Sequence, residues 1–187
     1  MSSSTSHSPA VRRLIERFGL APHPEGGFYR EVYRDQLSVL HPGIPIAPGG
    51  PADRERSAST AIYFLLPEGE ISAFHRVLWT DEVWHLYAGG PLELHLIHED
   101  GRYERRLLSG DPEADRGAET GAETGPMTVV EAGCWQAARP VPGAAFAFGG
   151  CTVAPGFDFA DFELPAADEL ARQFPEHEGV IRALSRA

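Results

Sequence analysis

Residues 69–90 read GEISAFHRVLWTDEVWHLYAGG. Two runs of strand-like residues flank Thr80-Asp81, and the stretch is bounded by Gly69 and Gly89-Gly90. Successive side chains on a strand point to opposite faces. His75 therefore shares a face with Ala73, Val77 and Trp79, while Arg76 points away with Phe74 and Leu78. On the next strand Glu82, Trp84 and Leu86 share a face opposite His85 and Tyr87. If Thr80-Asp81 closes a tight turn, the imidazole at 75 and the carboxyl at 82 face one interior. A buried, unpaired carboxylate is costly, so this glutamate needs a metal, a cation, a hydrogen-bond donor or a proton. The plainer alternative is a histidine satisfied within the core and a glutamate at an open strand end.

The surrounding sequence supplies more strands. FYREVYRD (28–35), STAIYFLL (59–66), LELHLIH (92–98), RYERRLL (102–108), MTVVEA (127–132), CWQAARP (134–140), AAFAFG (144–149) and CTVA (151–154) are rich in β-branched and aromatic residues. Their separators, such as PEGE, TD, GGP and EDG, carry turn chemistry. Short strands with tight turns argue an all-β sandwich or barrel. Helices are expected only at the ends. Ser8-Pro9 suits a helix start, Val11, Leu14, Ile15 and Phe18 repeat at helical spacing, and Gly19 ends the pattern. Behind Pro165, Ala167, Leu170, Ala171 and Phe174 repeat likewise, and Val180, Ile181 and Leu184 follow Pro175. Residues 37–56 read as a long Pro- and Gly-rich loop, and 110–126, with its tandem GAETGAET, as an acidic solvated one. The division expected is a flexible tail at 1–10 and a single domain at 11–187, with 110–126 as a variable loop.

Composition narrows the function. The chain has 187 residues, 42% of them hydrophobic, and a formal net charge of −11. That charge repels phosphate backbones and anionic membranes, so neither nucleic acid nor membrane is an expected partner. There is no apolar run long enough for a membrane span, and MSSSTSHSPA lacks the pattern of a secretory signal. A cytoplasmic location is expected, with Cys134 and Cys151 as buried thiols.

The spacing of the opening stretch resembles the first motif of the cupin superfamily, G(x)5HxH(x)3–4E(x)6G. Gly69, His75, Glu82 and Gly89 fall on it, with Val77 at the second histidine. Gly125, Gly133 and Gln136 fit the second motif, G(x)5PxG(x)2H(x)3N, where Glu131, Gln136 and Pro140 replace the proline, histidine and asparagine. PHPEGGFYREVYRD, AIYFLL, FHRVLWTDEVWHLYAGG, AGCWQAARP and CTVAPGFDFADFEL resemble, in order, the cupin-5 subfamily, a domain of unknown function. The resemblance spans roughly residues 12–185. It implies an RmlC-like jelly roll, or double-stranded β-helix, commonly a homodimer.

Many cupins hold Fe, Mn, Ni or Zn with three histidines and a glutamate. Carried over, the metal candidates are His75, Glu82 and Gln136. Val77 cannot ligate, and a neutral amide oxygen is a weak ligand for a transition metal. The resemblance thus implies either no cofactor or a weakly held divalent metal. Other cupins are metal-free epimerases of nucleotide-linked keto-sugars, which move a proton beside a carbonyl. On that pattern His75 is the acid or base, Glu82 acts beside it, and Gln136 orients the ligand or the histidine. Trp79, Trp84 and Trp135 offer stacking surfaces, or else plain core. Glu25, Tyr29 and Arg30 are further ligand-binding candidates from HPEGGFYR, where Gly26-Gly27 would let backbone approach a ligand and Arg30 would pair with an anion. Three readings stand: a metal-independent isomerase or epimerase of a carbohydrate-like ligand, a metal-dependent dioxygenase or isomerase, and a non-catalytic binding or storage protein.

Overall fold

A computed structural model describes residues 7–41, 55–111 and 125–186. Helix α1, Pro9–Phe18, begins where Ser8 Oγ accepts the Val11 amide at 3.3 Å, and stops at Gly19. His7 packs edge-on against Phe28 and the helix is formed by Pro9, so the expected tail does not extend to residue 10. The remaining expectations for 42–54 and 112–124 lie outside the described residues.

Among the described residues thirteen strands follow: β1 (Ala21–Pro22), β2 (Phe28–Arg34), β3 (Ser38–Leu40), β4 (Glu55–Ser57), β5 (Thr60–Pro67), β6 (Ser72–Val77), β7 (Glu82–Gly89), β8 (Leu92–Ile97), β9 (Tyr103–Leu108), β10 (Met127–Val130), β11 (Trp135–Pro140), β12 (Phe146–Val153) and β13 (Phe162–Glu163). A 3-10 turn at Phe159–Asp161 precedes β13, and helices α2 (Ala167–Gln173) and α3 (Glu178–Ala183) end the fold. One six-stranded sheet runs β1-β2-β5-β12-β7-β10, and a five-stranded sheet runs β13-β6-β11-β8-β9. The strand pairings within both are antiparallel. The two sheets face each other as a jelly roll, the double-stranded β-helix expected.

Three strand readings change. Residues 38–40 and 55–57, expected within a loop, pair as a small ribbon. The two strands expected at 144–149 and 151–154 are one strand, β12, passing through Gly149-Gly150. A Cβ at Gly149 would lie 2.1 Å from the His85 carbonyl oxygen, so these glycines admit the neighbouring strand and do not break their own. Thr80-Asp81 does not close a hairpin. It carries the chain from β6 in one sheet to β7 in the other, so His75 and Glu82 meet across the barrel.

The core has three compartments. Inside the barrel, Phe64, Leu66, Trp84 and Leu86 meet Leu92, Leu94, Leu96 and Leu108. Helix α1 seals the outer face of the first sheet over Leu65 and Phe148. Helices α2 and α3 seal the outer face of the second, with Leu170, Phe174, Ile181 and Leu184 against Phe74, Ile97 and Trp135. Apolar side chains fill one end of the barrel. The other end is hollow.

Candidate functional site

That hollow is a cavity of about 420 Å³, within the ~300–1,000 Å³ usual for small-molecule sites. β2 supplies Tyr29, Glu31 and Arg34; β5 supplies Thr60, Ile62 and Phe64; β6, β7 and β12 supply His75, Glu82 and Cys151. The turn before β2 adds His23 and Glu25. The segment between β12 and β13 lays Phe157, Asp158 and Phe159 across the mouth, next to Phe162 on β13.

His75 is buried. Its Nδ1 lies 2.8 Å from the Ala73 carbonyl oxygen. A carbonyl can only accept, so Nδ1 carries the proton and Nε2 the lone pair. That Nε2 lies 3.3 Å from Glu25 Oε2. Ser72 Oγ donates to Glu25 Oε1 at 2.8 Å, which leaves Oε2 as the oxygen to hold a proton. Burial pushes the Glu25 carboxyl up to about 8, against the pull of the Ser72 hydrogen bond. Burial lowers the His75 imidazole, although Glu82 and the Ala73 carbonyl oppose it. His23 falls to about 4 through burial and the nearby His75. At neutral pH the floor of the cavity therefore holds uncharged imidazoles and a protonated Glu25.

Glu82 has different neighbours. Gln136 Nε2 donates to its Oε2 at 2.6 Å, while Trp84 Nε1 donates to Gln136 Oε1 at 2.9 Å. The indole thus fixes the amide, and the amide fixes the carboxyl. Burial moves the Glu82 pKa up, against His75, Gln136 and Cys151, which favour its charge. The Cys151 thiol is raised well above its usual value by burial and the neighbouring Glu82 and Glu25, so it stays a thiol beside Glu82.

The structure brings His75, Glu82, Glu25 and Tyr29 to the cavity wall. Gln136 sits behind that wall and reaches the cavity through Glu82. The expected tryptophan wall is absent. Trp84 is spent on Gln136, Trp135 packs under the C-terminal helices with Arg76 stacked 4.3 Å above it, and Trp79 follows the end of β6. Arg30 is likewise off the site, its guanidinium 5.9 Å from the Tyr63 ring on the opposite face. Arg76 pairs with Glu163 at 2.7 Å within the chain. Gly26 approaches backbone and not a ligand: its φ is 118°, and a Cβ there would sit 2.1 Å from the Ile71 carbonyl oxygen.

The metal set expected from the motif does not fit. Both polar ends of the Gln136 amide are engaged, Val77 has no donor, and no group of three or more His, Cys, Asp or Glu among the described residues could hold a metal ion. Residues that local pattern did not reveal complete the site: His23, Ser72, Cys151, Arg34 and the phenylalanines of 157–162. The cue for the last three was present in the aromatic run GFDFADF, but its position over the barrel mouth depends on long-range pairing.

A family model, Cupin_5 of the cupin superfamily (DUF985), matches residues 12–165. The chain belongs to this family. It is 34% identical to protein SO0799 from Shewanella oneidensis, covering 92% of this chain and 95% of that one, with a TM-score of 0.73. A hypothetical protein from Leishmania major is 31% identical over 94% of this chain and 98% of its own, with a TM-score of 0.77. The uncharacterized protein YML079W of Saccharomyces cerevisiae is 28% identical over 169 residues, 86% of this chain and 78% of that protein. No helix among the described residues is long and apolar enough to cross a membrane.

Proposed function

We propose that this cupin binds a small carbohydrate-like carbonyl compound in its barrel and moves a proton on the carbon beside the carbonyl, without a metal. The observation that carries the reading is the pairing of His75 Nε2 with Glu25 Oε2 at 3.3 Å inside a ligand-sized cavity. Their environments leave one as a neutral base and the other as a protonated acid at the same pH, the division of labour proton transfer needs. His75 Nε2 takes the proton from carbon, and the Glu25 hydroxyl donates to the oxygen on which negative charge collects. Return of the proton to the neighbouring carbon gives an isomer, and return to the same carbon after the planar intermediate has turned over in the cavity gives an epimer. Glu82, held by Gln136, orients the ligand by accepting a hydrogen bond from a ligand hydroxyl. Assembly as a homodimer, implied by the family resemblance, belongs to this reading and is tested by light scattering.

The test is solvent deuterium exchange into a panel of free and nucleotide-linked keto-sugars, followed by mass spectrometry. The expected outcome is incorporation of one deuteron beside the carbonyl of a panel member, reduced at least a hundredfold in His75→Gln. The rate should fall as pH rises through about 8, where Glu25 loses its proton. Undiminished exchange in the variant would take His75 out of the chemistry. Binding with no exchange would favour a binding or storage role.

A further inference from the structure

The mouth of the cavity has a composition the proton-transfer reading does not use. Phe157, Phe159 and Phe162 all line it. Their rings are near-perpendicular to one another: 157 and 159 have centroids 5.0 Å apart at 81°, 157 and 162 are 5.9 Å apart at 72°, and 159 and 162 are 5.8 Å apart at 79°. His23 continues this wall, near-parallel to Phe159 at 6.3 Å and edge-on to Tyr29 at 4.4 Å. Phe159 is half exposed, at 51%, although it is a large apolar residue beside an opening. The three rings pack edge-to-face on one another, and the aromatic surface they turn to the opening is of the kind an alkylammonium group rests on.

The charge around that aromatic surface has the matching sign. The cavity is lined by the carboxyl groups of Glu25, Glu31, Glu82 and Asp158, of which Glu25 keeps its proton at neutral pH and adds no charge. Arg34 is the one Lys or Arg lining it among the described residues, and it is already committed. Its Nε and Nη2 donate to the two oxygens of Glu31 at 3.0 and 2.7 Å, and Nη2 also donates to the Phe157 carbonyl at 3.1 Å. Asp158 accepts the Ala160 amide at 2.9 Å and lies within electrostatic reach of the same guanidinium, so one Arg34 faces two carboxylates at the rim. A phosphate or diphosphate entering here would face carboxylates and no free cation. An organic cation would gain from both the rings and the carboxylates, most where water is excluded.

We infer that the cavity takes a small organic cation, whose ammonium or alkylated amine rests against the aromatic surface of Phe157, Phe159 and Phe162 while the rest of the molecule reaches His75. The inference rests on the reading of this cavity as the ligand site. It deepens that reading by excluding phosphorylated and nucleotide-linked compounds. Phe162 belongs to this aromatic surface and its ring is 5.4 Å from the His75 ring, so a cation resting there has its neighbouring atoms near the base. An amine-bearing carbonyl compound, such as an amino-sugar, is the substrate class that satisfies both ends.

Three probes of one shape and different charge test this on the full chain. Choline carries a cation, 3,3-dimethylbutan-1-ol is its neutral isostere, and 3,3-dimethylbutanoate is an anion of similar size. Calorimetric titration is expected to show choline binding about tenfold or more tighter than the alcohol, with no saturable binding of the anion. Phe159→Ala should bring choline to the level of the alcohol while leaving the melting temperature within a degree or two, since the ring is half exposed. Equal affinity for choline and the alcohol, preference for the anion, no binding of choline, or unchanged choline binding in Phe159→Ala would each overturn the inference. Exchange of keto-sugar protons through His75 is measured separately, so failure of the cation preference leaves the proton-transfer reading standing, and the reverse also holds.

Discussion

At the scale of single residues, the decisive feature is a carboxyl buried in the cavity wall. Glu25 is 5% exposed, and its folded pKa, about 8, lies above the ordinary carboxyl value. Below that ordinary value both the folded and the unfolded chain hold the proton. Between the two values the folded chain keeps a proton that the unfolded chain has lost. Stability therefore falls as pH climbs through this window, and the loss is complete above about 8. Glu25→Gln keeps the shape and has no charge to bury. Its stability relative to wild type should rise between about pH 5 and pH 9, by on the order of 2–4 kcal/mol, in calorimetric melts. A difference that does not change with pH would mean that Glu25 is ionised in the fold. Gln136→Leu acts on the other carboxyl. It strands Glu82 Oε2 and Trp84 Nε1 in a buried setting and should cost about 2–4 kcal/mol in denaturant unfolding. Of these residues, His75 and Glu82 were legible because motif spacing fixes them on two successive strands. Gln136 was legible as a position, but its work as a brace was not, since its partners Trp84 and Glu82 lie more than fifty residues away in the chain.

At the scale of elements, the turn His23–Gly27 shows how the fold aims a side chain. The Gly26 amide donates to the His23 carbonyl, and the Glu25 carbonyl accepts the Ala73 amide at 2.9 Å. These bonds hold Glu25 beside β6, two residues from His75. Gly26 is what allows the approach, because any side chain there collides with the Ile71 carbonyl. Gly26→Ala should destabilise the fold by more than about 2 kcal/mol and move Glu25 away from His75, lowering the exchange rate as well. An alanine variant with native melting and native exchange would show that the turn yields without consequence. The sequence marked FYREVYRD as a strand, and the strand forms as read. The direction of its side chains was not legible. Which of Tyr29 and Arg30 faces inward depends on the register of β2 on β5, where Tyr29 stands opposite Phe64 and Arg30 opposite Tyr63. The tryptophans misled for a related reason. Strand alternation assigns a face, yet the inward face of Trp84 meets Phe64 and Gln136 and not the cavity.

At the scale of the whole molecule, the cavity survives because helices, and not the barrel interior, cover the outer sheet surfaces. The exposed margin of β6 needs such cover. At Ala73 its amide is satisfied by Glu25, at Phe74 by the Leu184 carbonyl at 2.9 Å, and beyond that β13 pairs with Arg76 and Val77. The strand carrying His75 is thus held by three separate parts of the chain, one of them the end of α3. The family match stops at residue 165, but the residues that seal this sheet lie after it. Removal of residues 166–187 would strip Leu170, Phe174, Ile181 and Leu184 from Phe74, Ile97 and Trp135 and leave the Phe74 amide unpaired. The shortened chain should therefore lose cooperative melting and elute as aggregate in size-exclusion chromatography. Ile181→Ala separates packing from chain length. It should cost about 2–4 kcal/mol, while choline and keto-sugar binding per folded molecule stay unchanged, because Ile181 touches the sheet's far side. If the shortened chain melts cooperatively at the wild-type temperature, the C-terminal helices are accessory and the barrel holds β6 unaided. If Ile181→Ala alters binding without altering stability, the two faces of the sheet are coupled in a way that packing alone does not provide.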